Sequence, residues 1–263
     1  MSVPYADLFS VRGKRAVVTG GSRGIGRMIT EGLLAGGAEV VISARKADQC
    51  RQTAEELSSL GPITAVPADL STLEGVQQLA DAANERFDGR LDILINNAGT
   101  SWGAPLEEYP ESGFDKVMDT NVKGLYFLTV KLLGALRAAA SPEDPARVIS
   151  IGSVDGIRAP LLENYAYSAS KAAVHQLTRH LAKRLAAEHI TVNAIAPGPF
   201  ESKMTEFMLG TEEGRSAVAS TIPLGRIGSP EDIVGTTIFL ASRAGAYLTG
   251  TVIPVDGGYT GAA

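Results

Sequence analysis

The residues with the most chemistry to offer are Tyr167 and Lys171, in the run Tyr167-Ser168-Ala169-Ser170-Lys171 at the start of a long helical stretch. Positions i and i+4 share a helical face, so the Lys171 ammonium can reach the neighbourhood of the Tyr167 phenol. A free phenol, with a pKa of about 10, is a poor acid–base catalyst at neutral pH, and a nearby ammonium favours phenolate and lowers that value. Tyr165 lacks this partner, because four residues beyond it stands Ala169. Taken alone, the Tyr-x-x-x-Lys spacing is equally that of an ordinary surface pair.

A second cluster is Thr19-Gly20-Gly21-Ser22-Arg23-Gly24-Ile25-Gly26, between an apolar run and a helical one. Glycines there let backbone come close to a pyrophosphate, and a helix N-terminus supplies unpaired N–H groups and partial positive charge. The spacing is Gly-x-x-x-Gly-x-Gly, not Gly-x-Gly-x-x-Gly, and a plain glycine turn is the competing reading. The next apolar run ends in Ser43-Ala44-Arg45-Lys46, two bases where an NAD site usually presents an acid. Arg45 and Arg23 are suited to clamp a ribose 2′-phosphate, which predicts NADPH, with solvated surface arginines as the alternative.

These residues need a scaffold, and the periodicity supplies one. Arg15–Thr19, Glu39–Ser43, Ile63–Val66, Leu91–Ile95, Arg147–Ile151, Thr191–Ile195 and Thr251–Val255 read as short strands buried on both faces. Helical stretches alternate with them: Ile25–Ala35, Asp48–Leu60, Leu73–Phe87, Phe114–Met118, Gly124–Ala140, Tyr165–Ala187 and one after Pro230. In the longest, Ala173, Leu177, Leu181 and Leu185 form an apolar stripe expected to face the sheet. Alternation of this kind predicts an α/β fold: a doubly wound, Rossmann-like, seven-stranded parallel sheet with helices on both faces. No linker or repeat divides the chain, so residues 1–263 read as a single domain, with Phe200–Thr221 as an irregular insertion large enough to be a lid.

Composition narrows the partners. With 24 Lys and Arg scattered among 29 Asp and Glu, the net charge of −5 argues against nucleic acid. Cys50 is the single cysteine, and His175, His180 and His189 lack metal-ligand spacing, so no metal is expected. No apolar run approaches the ~18–20 residues that span a bilayer, and Met1–Lys14 lacks a signal-peptide layout, so no membrane association and a cytoplasmic location are expected. The 29 glycines of 263 residues exceed the average of about 7% and are bunched, as tight turns at a ligand would require.

Together, Thr19–Gly26, Asp69, Asn96-Asn97-Ala98-Gly99, Asn121, Ser153, Tyr167-x-x-x-Lys171 and Pro197-Gly198 resemble the ordered signature of the short-chain dehydrogenase/reductase family, over nearly the whole chain. Within it, Asn96–Gly103, Ile151–Val154 and Gly245–Gly250 are similar in wording to bacterial NADPH-dependent β-ketoacyl reductases associated with rhamnolipid synthesis. The resemblance implies a catalytic set of Asn121, Ser153, Tyr167 and Lys171. Ser153 would polarise a substrate carbonyl, and Tyr167 would exchange a proton with its oxygen. Lys171 would lower the phenol's pKa and hold the nicotinamide ribose. Asn121 would kink its helix and anchor a water that links Lys171 to solvent. The implied cofactor cradle is Gly20, Ser22, Arg23, Gly24, Ile25, Gly26, Arg45, Lys46, Asp69, Leu70, Asn97, Ala98, Gly99, Tyr167, Lys171, Pro197, Gly198 and Ser202. Helix caps or turn residues are the plainer readings of Asn121, Ser153 and Asp69.

The family resemblance is imperfect between Ser153 and Tyr167, where the connecting loop is one residue longer than usual. In that loop Asp155 reads as a pocket residue favouring a polar substrate group or as a partner of Arg158, and Tyr165 reads as a weaker pocket candidate. The expected activity is NADPH-dependent reduction of a ketone, foremost a 3-oxoacyl thioester, to a secondary alcohol. The alternatives are a sugar or polyol dehydrogenase and a non-catalytic dinucleotide sensor. The resemblance also implies a homotetramer, with a dimer as the lesser possibility. Small Ala169 and Ala172 would let helices approach closely, and Lys183 and Arg184 are available to an acidic carrier protein or to solvent.

Overall fold

The computed structural model describes residues 5–261. Seven strands form one sheet: β1 (Arg15–Thr19), β2 (Glu39–Ala44), β3 (Ile63–Pro67), β4 (Ile93–Asn96), β5 (Ala146–Ile151), β6 (Ile190–Pro197) and β7 (Val252–Val255). Their order is β3-β2-β1-β4-β5-β6-β7, and every pairing is parallel. After α1 (Tyr5–Leu8), the helices are α2 (Gly24–Ala35), α3 (Ala47–Leu57), α4 (Leu73–Arg86), α5 (Glu111–Met118), α6 (Leu125–Ala139), α7 (Tyr165–Leu185), α8 (Glu206–Leu209), α9 (Glu212–Ala219) and α10 (Pro230–Ala241). None is long and apolar enough to cross a membrane.

Alternation along each strand divides the core into two layers. Ala16 and Val18 of β1 face Ile29, Leu33 and Leu34 of α2, with α3 and α10 completing that side. Val17 faces the other side, where Leu79, Leu128, Leu132 and Leu185 bring in α4, α6 and α7. Covered faces explain why the strands are near-continuous Val, Ile and Ala, with little polar–apolar alternation.

The expected fold forms, with local differences. β4 starts at Ile93, two residues later than expected: the Leu91 N–H donates to the Ala135 carbonyl outside the sheet, while Asp92 still bonds to both neighbouring strands, its N–H donating to the Arg15 carbonyl at 3.0 Å and its carbonyl accepting the Arg147 N–H at 2.8 Å. On α7 the face against the sheet is Ala166, Ser170, Val174, Thr178, Ala182 and Leu185. Of the expected stripe only Leu185 is fully buried; Ala173, Leu177 and Leu181 are half-buried. Small residues let the helix lie close, and Thr178 can be buried because its hydroxyl donates to the Val174 carbonyl at 2.9 Å. The stretch Phe200–Thr221 is not irregular throughout, since α8 and α9 occupy much of it.

The chain steps outward from β1 through β2 to β3, then returns across β1 to β4. Loops leaving β1 and β4 therefore diverge and open a crevice at the carboxyl ends of the strands, where doubly wound sheets bind ligands.

Candidate active site

One end of the crevice is the turn between β1 and α2. Gly20 and Gly24 have φ of +65° and +51°, a region that side chains rarely adopt. A Cβ on Gly26 would lie 2.2 Å from the Gly20 carbonyl and 2.4 Å from Asn97 Nδ2, so that position admits only glycine. Asn97 braces the turn, its amide donating to the carbonyls of Thr19 at 2.8 Å and Gly20 at 3.2 Å. Arg23, the residue capping α2, offers no side-chain hydrogen bond to the helix. The first N–H groups and the positive end of α2 therefore remain available to an anion.

Arg23, Arg45 and Lys46 stand exposed on the wall of this crevice and make no ion pair among the described residues. Two residues before Arg45, near the end of β2, the fully buried Ser43 hydroxyl has no hydrogen-bond partner. Glycines that admit close approach, uncompensated cations and an orphaned hydroxyl fit a phosphorylated dinucleotide. All the residues expected to cradle a cofactor lie on this one wall: Gly20, Ser22–Gly26, Arg45, Lys46, Asp69, Leu70, Asn97–Gly99, Tyr167, Lys171, Pro197, Gly198 and Ser202. Asp69 also holds its local turn, accepting from the Ser71 N–H at 3.1 Å, while Thr72 caps α4.

The other end is built around Ser153, Tyr167 and Lys171. Ser153 leaves β5 at 7% exposure and accepts the Asp155 N–H at 3.1 Å, capping a short 3-10 turn at Val154–Gly156. Its turn-residue role and a role toward substrate are thus compatible. Lys171 is buried, its Nζ donating to the Ile151 carbonyl at 2.7 Å and lying 5.5 Å from the centre of the Tyr167 ring. Burial lowers the Lys171 pKa to about 8, against an opposing contribution from Asp155. Burial pushes the Tyr167 phenol up to about 12, with the Ser153 hydroxyl pulling it down and Asp155 adding to the rise. The expected lowering, by an ammonium together with an oxidised nicotinamide, is not found in the protein by itself, where desolvation dominates.

Asn121 sits in a π-helical turn at Asp119–Gly124, between α5 and α6, and is no helix cap. Its amide donates to the Thr100 carbonyl at 3.0 Å and Ser170 Oγ at 2.9 Å, and its oxygen accepts the Thr100 N–H at 2.8 Å. The side chain therefore ties the loop after β4 to α7 and is not on the crevice wall. Gly99 lies against both groups, for a Cβ there would be 3.4 Å from Asn121 Oδ1 and 3.7 Å from Lys171 Nζ.

Two weaker expectations are corrected. Tyr165 is exposed, hydrogen-bonded to Glu163 and set edge-on to Tyr109, away from the crevice. Asp155 does not line the crevice either, and Arg158 has turned from it to donate to the Tyr259 carbonyl at 3.0 Å and stack on that ring. Conversely, Gln49, Thr100, Lys203, Met204 and Thr205 line the wall without having been singled out. The last three belong to the Phe200–Thr221 stretch, whose position over the crevice was the one available signal.

This fold and site define the short-chain dehydrogenases/reductases, and the chain belongs to that family. A family model described as Enoyl-(Acyl carrier protein) reductase matches residues 20–260. The chain is 55% identical to the rhamnolipids biosynthesis 3-oxoacyl-[acyl-carrier-protein] reductase of Pseudomonas aeruginosa, over 97% of this chain and 98% of that protein. It is 37% identical to gluconate 5-dehydrogenase of Gluconobacter oxydans, over 97% and 98% of the two chains. Among solved structures it resembles the Pseudomonas aeruginosa RhlG/NADP active-site complex, with a TM-score of 0.93, 54% identity and coverage of 97% and 99%.

Proposed function

We propose that this chain is an NADPH-dependent ketoreductase that converts the 3-oxo group of an acyl thioester to a secondary alcohol. The observation that carries the reading is the placement, on one crevice wall, of a serine–tyrosine–lysine group at one end and the unpaired Arg23, Arg45 and Lys46 at the other. NADPH bound along that wall would supply the hydride. Gly20 through Gly26 and the start of α2 would hold its pyrophosphate, and Arg23 with Arg45 a 2′-phosphate.

The protein's own contribution is orientation and the proton. Ser153 donates a hydrogen bond to the substrate oxygen as negative charge develops there. Tyr167, whose pKa near 12 keeps it protonated at neutral pH, delivers its proton to that oxygen. Lys171, held by the Ile151 carbonyl, stands ready to stabilise the phenolate left behind. Lys203, Met204 and Thr205 bring the Phe200–Thr221 stretch to the crevice, supporting its assignment as a substrate lid over a single 1–263 domain. The exposed Ala169 and Ala172 on α7 are consistent with a homotetramer.

The test is NADPH oxidation followed by absorbance over 3-oxoacyl thioesters, cyclic ketones and oxidised sugars. Turnover greatest on the thioesters is expected, with Tyr167→Phe abolishing it while cofactor binding persists. The likeness to gluconate 5-dehydrogenase favours a sugar substrate as the second reading, which predicts alcohol oxidation and weak activity on thioesters. Binding without turnover on any compound would refute both and leave a sensor.

A further inference from the structure

The turn that carries Ser153 rests on a side chain that the reaction described above does not use. We infer that His175 is a positioning residue for Ser153: its imidazole ring is a spacer between α7 and the two glycines that bracket the serine, and so sets the distance from Ser153 to Tyr167 and Lys171. The inference rests on the ketoreductase reading.

The contact is built from both sides. His175 follows Lys171 by four residues, so the two side chains leave the same face of α7. It is buried and stands off the crevice wall, so its effect on a substrate must pass through another residue. From the loop, both glycines press against it. A Cβ on Gly152 would lie 2.2 Å from His175 Nε2 and 2.7 Å from Cδ2, and one on Gly156 would lie 2.8 Å from Cε1. The Gly156 Cβ would also lie 2.7 Å from the Lys171 carbonyl carbon and 2.8 Å from the Ala172 nitrogen, so the turn rests on helix backbone at Lys171 itself. Neither glycine has a positive φ. What excludes a side chain at Gly152 and Gly156 is therefore the closeness of α7 and its histidine, not backbone conformation.

These supports leave Ser153 little room. The Gly152 N–H donates to the Ile195 carbonyl of β6 at 2.7 Å, and the Gly156 N–H closes the turn on the Ser153 carbonyl at 3.0 Å. Held by β6 and backed by the imidazole ring, Gly152 fixes where the chain enters Ser153, while Gly156 fixes where the turn lands on α7. His175 Nε2 is buried without a hydrogen-bond partner, so at Gly152 the ring contributes bulk and no bond. Nor does it act as an acid or base at neutral pH, because burial holds its pKa down at about 4. Tyr167 and Lys171 stand on the helix that the ring projects from, and Ser153 on the turn that the ring supports, so the thickness of one side chain spaces the two halves of the site.

The experiment measures kcat and KM for ketone reduction, NADPH binding and melting temperature in wild type, His175→Ala, Gly152→Ala and the double variant. His175→Ala removes the spacer, and Gly152→Ala drives a methyl group into it. Either change displaces Ser153, and a misplacement of about 1 Å costs roughly 100-fold in rate. Each single variant is expected to lose roughly 10- to 100-fold in kcat while KM and NADPH binding hold. In the double variant the methyl group enters space that the ring has left, so kcat should recover well above that of Gly152→Ala. A His175→Ala protein that melts lower but keeps the wild-type kcat, or that loses NADPH binding in step with kcat, would overturn the inference and leave His175 a packing residue. So would a double variant in which the two losses simply multiply. Should His175→Ala not fold, His175→Val is the second shortened variant and must show the same loss of kcat with NADPH still bound. Absence of wild-type turnover on every ketone overturns the functional reading, and the inference with it; the other outcomes arise only in an active wild type, so the two failures are distinct.

Discussion

Arg45→Asp is the substitution that most directly tests the cofactor assignment. Arg45 and Lys46 follow β2, Arg23 stands in the glycine turn on the same crevice wall, and none of the three is paired with an acid among the described residues. A charge-assisted hydrogen bond to a phosphate contributes about 1.5–3 kcal/mol. Exposure of Arg45 puts its share toward the low end, and an aspartate adds repulsion against the same phosphate, so roughly 2–3 kcal/mol is lost in all. At 1.4 kcal/mol per tenfold, that is a fall of roughly 30- to 100-fold in kcat/KM for NADPH. NADH lacks the phosphate and gains an acid suited to its ribose hydroxyls, so its kcat/KM should hold or rise. Steady-state kinetics with each cofactor gives the ratio, and repeating them at higher salt should shrink the difference, since screening acts on exposed charges. If the NADPH/NADH ratio is unchanged, the basic group is surface decoration and the 2′-phosphate assignment is wrong.

Gly26→Ala places a Cβ 2.2 Å from the Gly20 carbonyl, which the turn cannot absorb without moving; loss of NADPH binding by fluorescence titration, with a lowered melting temperature, is expected. Lys171 binds fewer protons folded than unfolded between its folded pKa of about 8 and its unfolded value, so the stability of the cofactor-free protein should increase over that interval. Urea unfolding at pH 9.5 against pH 7.5 should show a gain of roughly 2 kcal/mol in wild type that is absent in Lys171→Met, a variant expected to be inactive. An equal pH response in the two proteins would contradict the burial penalty on the ammonium.

The parts of this molecule that were legible in the sequence are those where one residue type is forced by backbone or burial. Strands covered on both faces must be largely apolar, so Arg15–Thr19 and Arg147–Ile151 declare themselves through Ala16–Val18 and Val148, Ile149 and Ile151. A turn with φ near +60° at Gly20 and Gly24 must be glycine, so the pyrophosphate end does too. Helix faces were less legible: the buried side of α7 is small and polar because the helix presses close to the sheet at its catalytic end, and hydropathy pointed to the neighbouring leucines instead. Least legible was the direction a loop side chain takes. Nothing in the run Asp155–Asn164 says that Arg158 will turn to Tyr259, roughly a hundred residues further along, and leave Asp155 to Asn164.

The protonation of the site was also beyond the sequence, for a physical reason. Spacing alone brings an ammonium to a phenol and suggests that the pair ionises together. The structure adds desolvation, which acts on both groups in the direction of neutrality, raising Tyr167 and lowering Lys171. A protonated phenol is the wrong state for removing a proton from an alcohol and the right one for giving a proton to a forming alkoxide. The protein by itself is therefore set for reduction at neutral pH. For oxidation, added positive charge must overcome the burial of Tyr167 and the field of Asp155, so the oxidative direction should require higher pH than the reductive one.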